Sequence, residues 1–255
     1  MPHLVTARPR LFHPVHNERW FIINAFMYKF GGVVFVIGSV LFLPYFSAYV
    51  TTADYLFFIG SLCYLLVTGH DLRETRHYWQ VHPTRTNAMR IELLAVWCYF
   101  FGSILFTIGS LCFLPQLNLE NVGAWLFIIG SLLFIVGACA NFMQLIQAPD
   151  ALYIQLYNFT LVTFIVGSVL FLFMTVPYLQ SYDAADTGSA YNLAATGFII
   201  GSILFLLGGI FIYLRYIKEG QLTQHAPLSS MERQFIAAVK AELPTSIVAA
   251  HSDKQ

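Results

Sequence analysis

The stretch of this chain richest in groups that could do chemistry is "GHDLRETRHYW", residues 69–79. In a helix, His70, Glu74 and His77 fall at i, i+4 and i+7 and share one face. Glu74-x-x-His77 has the spacing by which carboxylate bundles hold metal ions. His13-x-x-His16 offers two further imidazoles. A bundle site of that kind needs a second Glu-x-x-His from another helix, and the chain has none. Asp71, Arg73 and Arg76 between the candidate ligands suit an ordinary solvated face. The expectation is therefore no metal and no cofactor, with His70, Glu74 and His77 the residues that would hold an ion if one bound. No phosphate-binding loop, nucleophile elbow or zinc spacing occurs elsewhere. No catalytic residue is assigned, and the chain does not read as an enzyme.

The remaining polar candidates are few. Lys29 is the only basic residue expected inside a span. Near the end of its helix, its stem lies along apolar surface while the amine reaches the headgroups. The sharper reading makes it a buried cation, beside Asn24 and Tyr28, that holds an anion or headgroup. Arg73 and Arg76 are the other candidates for lipid or anion contact. Asn141 and Gln144 on a fourth helix and Asn158 on a fifth are placed to hydrogen-bond with each other, as packing contacts. No carboxylate and no histidine is expected in mid-span, which argues against a proton relay and against bis-histidine haem ligation.

The elements that must position these groups are spans of a membrane. Of 255 residues, 58% are hydrophobic and 10% charged, whereas soluble domains average about 25% charged. Mean hydropathy is +0.67. Six apolar segments, 21–44, 53–69, 93–115, 122–146, 154–177 and 192–217, approach the roughly 20 residues a transmembrane helix needs. No cleavable signal peptide is expected at the start. Arg and Lys cluster before the first segment, between the second and third, and after the sixth. The connections 45–52, 116–121 and 178–191 hold no basic residue and carry Glu120, Asp183 and Asp186. Cytoplasmic loops collect Lys and Arg, so both termini are expected in the cytoplasm of a bacterial cell. All eight histidines fall on that side, and the four cysteines lie within helices, so no disulfide framework is expected. Net charge is zero, which excludes a global pull on nucleic acid.

The spans repeat. "FGGVVFVIGSVLFLP" (30–44) matches "FGSILFTIGSLCFLP" (101–115), and "VTFIVGSVLFLF" (162–173) is a looser third copy. The even helices repeat as "LFFIGSLCYLL", "LFIIGSLLFIV" and "GFIIGSILFLL". The expected fold is an all-α integral membrane protein of six helices, arranged as three pseudo-repeated Gly-Ser-rich hairpins: 21–69, 93–146 and 154–217. An N-terminal segment 1–20, a loop 70–92 and a tail 218–255 flank them. Lipid is as apolar as Leu, so helices in a bilayer associate where small residues allow close approach. The packing positions are Gly31, Gly38, Ser39, Gly60, Ser61, Gly102, Gly109, Ser110, Gly123, Gly130, Gly137, Gly167, Ser168, Gly201 and Gly208. Most recur at seven residues, two helical turns, so each set shares a face. The serines bond back to the preceding turn or reach across the seam. Leu, Ile and Phe then face lipid or fill between layers.

The pattern F-x-x-G-S-x-x-F resembles the YrhK-like domain family. Its residues are Phe35, Gly38, Ser39 and Phe42; Phe106, Gly109, Ser110 and Phe113; and Phe164, Gly167, Ser168 and Phe171. The resemblance covers roughly residues 25–217 as three units. It implies a two-helix membrane hairpin and no assigned activity. After the spans, "SSMERQFIAAVKAEL" (229–243) reads as a capped amphipathic helix whose Met231, Phe235, Val239 and Leu243 form a docking stripe. The expected function is a non-catalytic scaffold or accessory subunit in the bilayer, with a second copy or a larger membrane complex as partner. The rival is a small channel or carrier for an uncharged or apolar solute.

Overall fold

The computed structural model describes residues 14–81, 87–143, 151–180 and 184–225. Among them are six long helices and no strand. These are α1 (Pro14–Leu41), α2 (Val50–Val81), α3 (Asn87–Cys112), α4 (Glu120–Phe142), α5 (Ala151–Thr175) and α6 (Ala184–His225). Each contains a stretch long and apolar enough to cross a bilayer. The chain is an all-α multipass membrane protein. Residues 217–255 form a separate unit, of which only the last turns of α6 are described. The tail stripe Met231, Phe235, Val239 and Leu243, together with Gln144 and His13, lies outside the described residues.

Three hairpin turns mark one end of the bundle. Pro44–Tyr49 closes the first as a 3-10 turn with Pro at its start, where the missing N–H costs nothing. The second turns through Asn118 at φ 51°, a left-handed conformation that Asn tolerates. Glu120 follows in the first turn of α4, where a negative charge suits the helix dipole. The third, Val176–Leu179, leads into α6 at Ala184, so most of the connection expected at 178–191 is helical instead. We call this the turn end. The opposite, basic end carries Lys29, Arg73, Arg76 and Arg90.

Inside, aromatic residues at seven-residue spacing stack in five triads, each hairpin supplying one ring per triad. From the turn end they are Phe42, Phe113 and Tyr178; Phe57, Phe127 and Phe198; Phe35, Phe106 and Phe171; Tyr64, Phe134 and Phe205; and Tyr28, Tyr99 and Phe164. Within triads the ring centroids of Phe113 and Tyr178 are 5.5 Å apart, those of Phe57 and Phe127 6.2 Å, and those of Phe106 and Phe171 6.0 Å. Between triads, Phe106 meets Phe127 edge-on at 4.7 Å and Phe171 meets Phe198 at 5.1 Å. Edge-to-face pairs place the positive ring edge on the negative face.

The small residues make room for these rings. All fifteen packing positions named from the sequence are buried. A Cβ on Gly38 would stand 2.8 Å from the Phe57 ring, on Gly109 2.7 Å from Phe127, and on Gly201 2.8 Å from Phe171. The groove left by glycine is thus filled by a phenyl ring of the partner helix as much as by its backbone. This corrects the assignment of Phe to lipid or to filler between layers: the repeated phenylalanines are the core. Ser39 and Ser110 do both things open to them, whereas Ser168 Oγ is buried with no hydrogen-bond partner. Ser39 Oγ donates to Phe35 O at 2.8 Å and lies 3.0 Å from Ser202 Oγ on α6. Ser110 Oγ donates to Phe106 O at 2.7 Å and lies 3.4 Å from Ser61 Oγ on α2. With Gly209 against Tyr28, the Ser39–Ser202 contact joins α1 to α6 and closes the six helices into a ring.

The third copy is in a different register from the one its motif suggests. A Cβ on Gly60 would face Gly31 O, on Gly130 Gly102 O, and on Gly201 Gly167 O, at 3.2–3.3 Å. Gly167 is therefore the counterpart of Gly31 and Gly102, not of Gly38 and Gly109, and Phe171 stands level with Phe35 rather than Phe42. At the true counterpart of Gly38, α5 carries Met174, and the facing residue is Gly197 where the other hairpins have Leu56 and Leu126. Large and small have changed places across the seam, which conserves volume.

Gly188, exposed in the first turns of α6, has nothing within 4 Å of a would-be Cβ. Gly188→Ala is expected to raise stability by about 0.5–1 kcal/mol, since only helix propensity changes. Thermal unfolding in detergent micelles measures it; a loss of stability would mean that the site is packed.

Candidate functional site

Polar groups gather at the two ends of the aromatic column. At the basic end the carboxylates are more buried than the sequence reading allows. Asp71 is 1% exposed and stands one heptad beyond Tyr64, where the other hairpins have Asn141 and Ile212. Asn141 donates to Tyr99 Oη at 3.3 Å on α3, and does not pair with Asn158. Asn158 Oδ1 is buried with no hydrogen-bond partner. The Tyr28 phenol, whose ring lies 4.4 Å from that of Tyr64, is within electrostatic reach of Tyr64, Tyr99 and Asp71.

His70 is half-buried beside this group. Trp20 stacks on its ring at 4.4 Å, and the Asn24 amide nitrogen lies 3.3 Å from its Nδ1. With that amide donating, Nδ1 accepts, and the ring's orientation is set by α1. One ligand atom each from His70, Asp71 and Glu74 falls within 4.8 Å of the others. His77, expected as the third ligand, is exposed and outside this group. Nitrogen and carboxylate donors at that separation suit a divalent ion with bonds of about 2.0–2.2 Å after small side-chain shifts. All three come from consecutive turns of one helix.

The basic side chains rest on rings. Lys29 Nζ lies 4.1 Å from the centroid of Tyr213 on α6, and the Arg76 guanidinium 5.7 Å from that of Trp97 on α3. Arg73 is exposed. Asn24, expected beside Lys29, serves His70 instead.

At the turn end stands Asp54, which the sequence reading misses because it lies at the margin of a span. In the structure it is 2% exposed, and its Oδ2 has no hydrogen-bond partner. It occupies a position where α4 has Ala124 and α6 has Ala195, both fully buried. Comparing the three repeats upstream of the Gly-Ser pair is the signal that could have found it. Asp54 borders a cavity of about 20 Å³ between the first two aromatic triads, also lined by Ser110. A second cavity of about 20 Å³ lies between the third and fourth triads, beside Ser61 and Ser103. Each has room for about one water.

The hairpins that build this column are also the units that match a known family. The family model described as YrhK-like protein matches twice, at residues 18–75 and 89–146. The chain carries two YrhK-like domains in tandem. Each match spans one hairpin, α1–α2 and α3–α4, including the Gly-Ser seam and the aromatic heptads. The third hairpin is outside both matches, yet α5 and α6 supply its share of every aromatic triad. No curated protein and no solved structure matches the chain. Both buried acids of the column, Asp54 and Asp71, belong to the first YrhK-like repeat.

Proposed function

We propose that this chain is a non-catalytic membrane module that acts by assembly, as a scaffold or accessory subunit whose partner is a second copy or a larger membrane complex. The observation that supports this is the filled axis. Five triads of aromatic rings occupy the centre, and the two cavities among them each have room for about one water. A channel needs a continuous path; this column offers a rigid body with apolar side chains outward, among them Phe26, Leu66, Val122, Trp125 and Phe173. The docking stripe of the tail, read from sequence, supplies a contact outside the bilayer. By the positive-inside rule the basic end faces the cytoplasm of a bacterial membrane.

The test is purification in a mild detergent followed by native mass spectrometry and reconstitution. The expected result is a defined multimer or a complex with another membrane protein, with no release of uncharged solutes from proteoliposomes above protein-free vesicles. A lone, non-associating chain would overturn the assembly reading, and saturable solute flux would replace it with a carrier. Metal analysis of the same preparation reads the His70, Asp71 and Glu74 cluster. A stoichiometric divalent ion lost in Asp71→Asn would argue for an enzymatic or sensing role in place of the passive one.

A further inference from the structure

We infer that the basic end of the seam between α2 and α3 binds the headgroup of an anionic phospholipid, with an acyl chain lying along the seam. Three observations carry this. First, the pseudo-repeat supplies an internal comparison. Counting from the seam glycines Gly60, Gly130 and Gly201, Arg73 corresponds to Met143 and Leu214, which are 67% and 43% exposed. By the same count Arg76 corresponds to Ile217 on α6. Where the other hairpins carry apolar side chains, the first carries two guanidinium groups. Second, these groups are not consumed within the chain. Arg73, Arg76 and, on α3, Arg90 are exposed, and among the described residues none of the three makes an ion pair. The carboxylates of the same turns lie inward: Asp71 and Glu92 are buried and Glu74 is half-buried. Third, the surface next to the arginines is apolar and shallowly grooved. The Arg76 guanidinium lies 5.7 Å from the centroid of Trp97, which stacks on Phe101 at 5.2 Å. Phe101 and Leu66 are exposed, and a Cβ on Gly69 between the helices would meet only Phe100, at 3.6 Å.

The placement suits a lipid better than a free anion. All three arginines lie in the last turns of the α2 span or the first of the α3 span, at headgroup depth. A guanidinium stacked on a ring keeps its N–H edges free, and those edges match two oxygens of a phosphate. Charge complementarity sets the headgroup, and the apolar strip from Trp97 to Phe101 takes the chain below it. One lipid per chain is expected. Residues 143–157, which connect α4 to α5, contain no Lys or Arg, and the α6–α1 seam offers Lys29 alone, seated on Tyr213.

The test is native mass spectrometry of the full chain, released from micelles that contain dioleoyl phosphatidylglycerol and dioleoyl phosphatidylcholine in equal amounts. A single phosphatidylglycerol is expected to stay bound in preference to phosphatidylcholine. Arg73→Gln and Arg76→Gln each lower that preference by about fivefold, the usual effect of one basic residue at an anionic surface. The double variant Arg73→Lys, Arg76→Lys keeps the charge and loses the fork, and lowers the preference by about twofold or more. Millimolar inorganic phosphate leaves the lipid in place. Equal retention of the two lipids by the wild type, or an unchanged preference in the glutamine variants, overturns the site. An unchanged preference in the lysine variant assigns the effect to net charge and overturns it too. Displacement by inorganic phosphate overturns the lipid in favour of a free anion. Should the glutamine variants fail to fold by circular dichroism, the wild-type lipid series and the lysine variant decide by the same outcomes.

Discussion

Replacing Phe171 by alanine is expected to lower the stability of the bundle by about 3 kcal/mol, at the low end of the roughly 3–5 kcal/mol typical of Phe→Ala in soluble cores. Phe171 is 1% exposed and at the centre of the column. Its ring faces Phe35 and Phe106 within its own triad, Phe57 and Phe198 above, and Phe205 below. It thus touches rings from all three hairpins. The low end applies because part of the soluble figure is transfer out of water, and a side chain leaving this core enters lipid of equal apolarity. What remains is the cavity and the dispersion attraction that the surrounding rings forfeit. Phe173, two residues on, is 61% exposed, and Phe173→Ala is expected to cost no more than about 0.5 kcal/mol. Denaturant unfolding in mixed micelles, followed by circular dichroism, compares the two. Equal losses would mean that the column is not what holds the hairpins together.

That contrast also explains how far the sequence can be read. The six spans are legible because an apolar run of about 20 residues with few charges has one common use. The glycine seams are legible because Gly is the residue that permits close approach, and its period shows in seven-residue steps. The aromatic column is equally periodic, from Tyr28 through Phe35 to Phe42 and from Tyr99 through Phe106 to Phe113. It is not legible as a core, because hydrophobicity does not separate inside from outside in a bilayer. Phe164 and Phe171 are buried, while Phe159 and Phe173 on the same helix face outward, all with one chemistry. What distinguishes them is that most inward rings, Phe164 and Phe171 among them, sit against a glycine across the seam.

The register of the third copy is ambiguous for the same reason. A chain that repeats small residues every seven positions matches itself equally well after sliding by seven. "FIVGSVLF" therefore fits both the Gly31 and the Gly38 level. The carbonyl contacts of Gly167 decide it, and those are three-dimensional information. The buried acids escape for a different reason. Distance along α2 from the membrane midplane makes Asp54 and Asp71 peripheral. Their burial comes from their angle around that helix, which points both toward the axis, seventeen residues apart. His70 and Glu74 stand out in the sequence because i and i+4 share a face. Asp71 at i+1 belongs to a different face, yet its carboxylate reaches the same turn.

The second large effect is steric. Gly102→Ala is expected to destabilise by about 2 kcal/mol, within the roughly 1–3 kcal/mol usual for overpacking. The added Cβ would stand 2.6 Å from Phe134 Cδ2, 2.7 Å from its Cε2 and 3.2 Å from Gly130 O. None of these can retreat cheaply. The carbonyl belongs to the helix backbone of α4, and the Phe134 ring is buried between Tyr99, Phe106 and Phe205. The gain in helix propensity, about 1 kcal/mol, is too small to offset the clash. Gly69→Ala is the matched control, because its nearest neighbour would be Phe100 at 3.6 Å, an ordinary contact. It is expected to be neutral or stabilising. If the ring is the obstacle, Gly102→Ala should also be partly rescued by Phe134→Leu, so the double variant loses less than the sum of the singles. Strict additivity in that cycle would show that glycine serves backbone flexibility at this seam and not the seating of a ring.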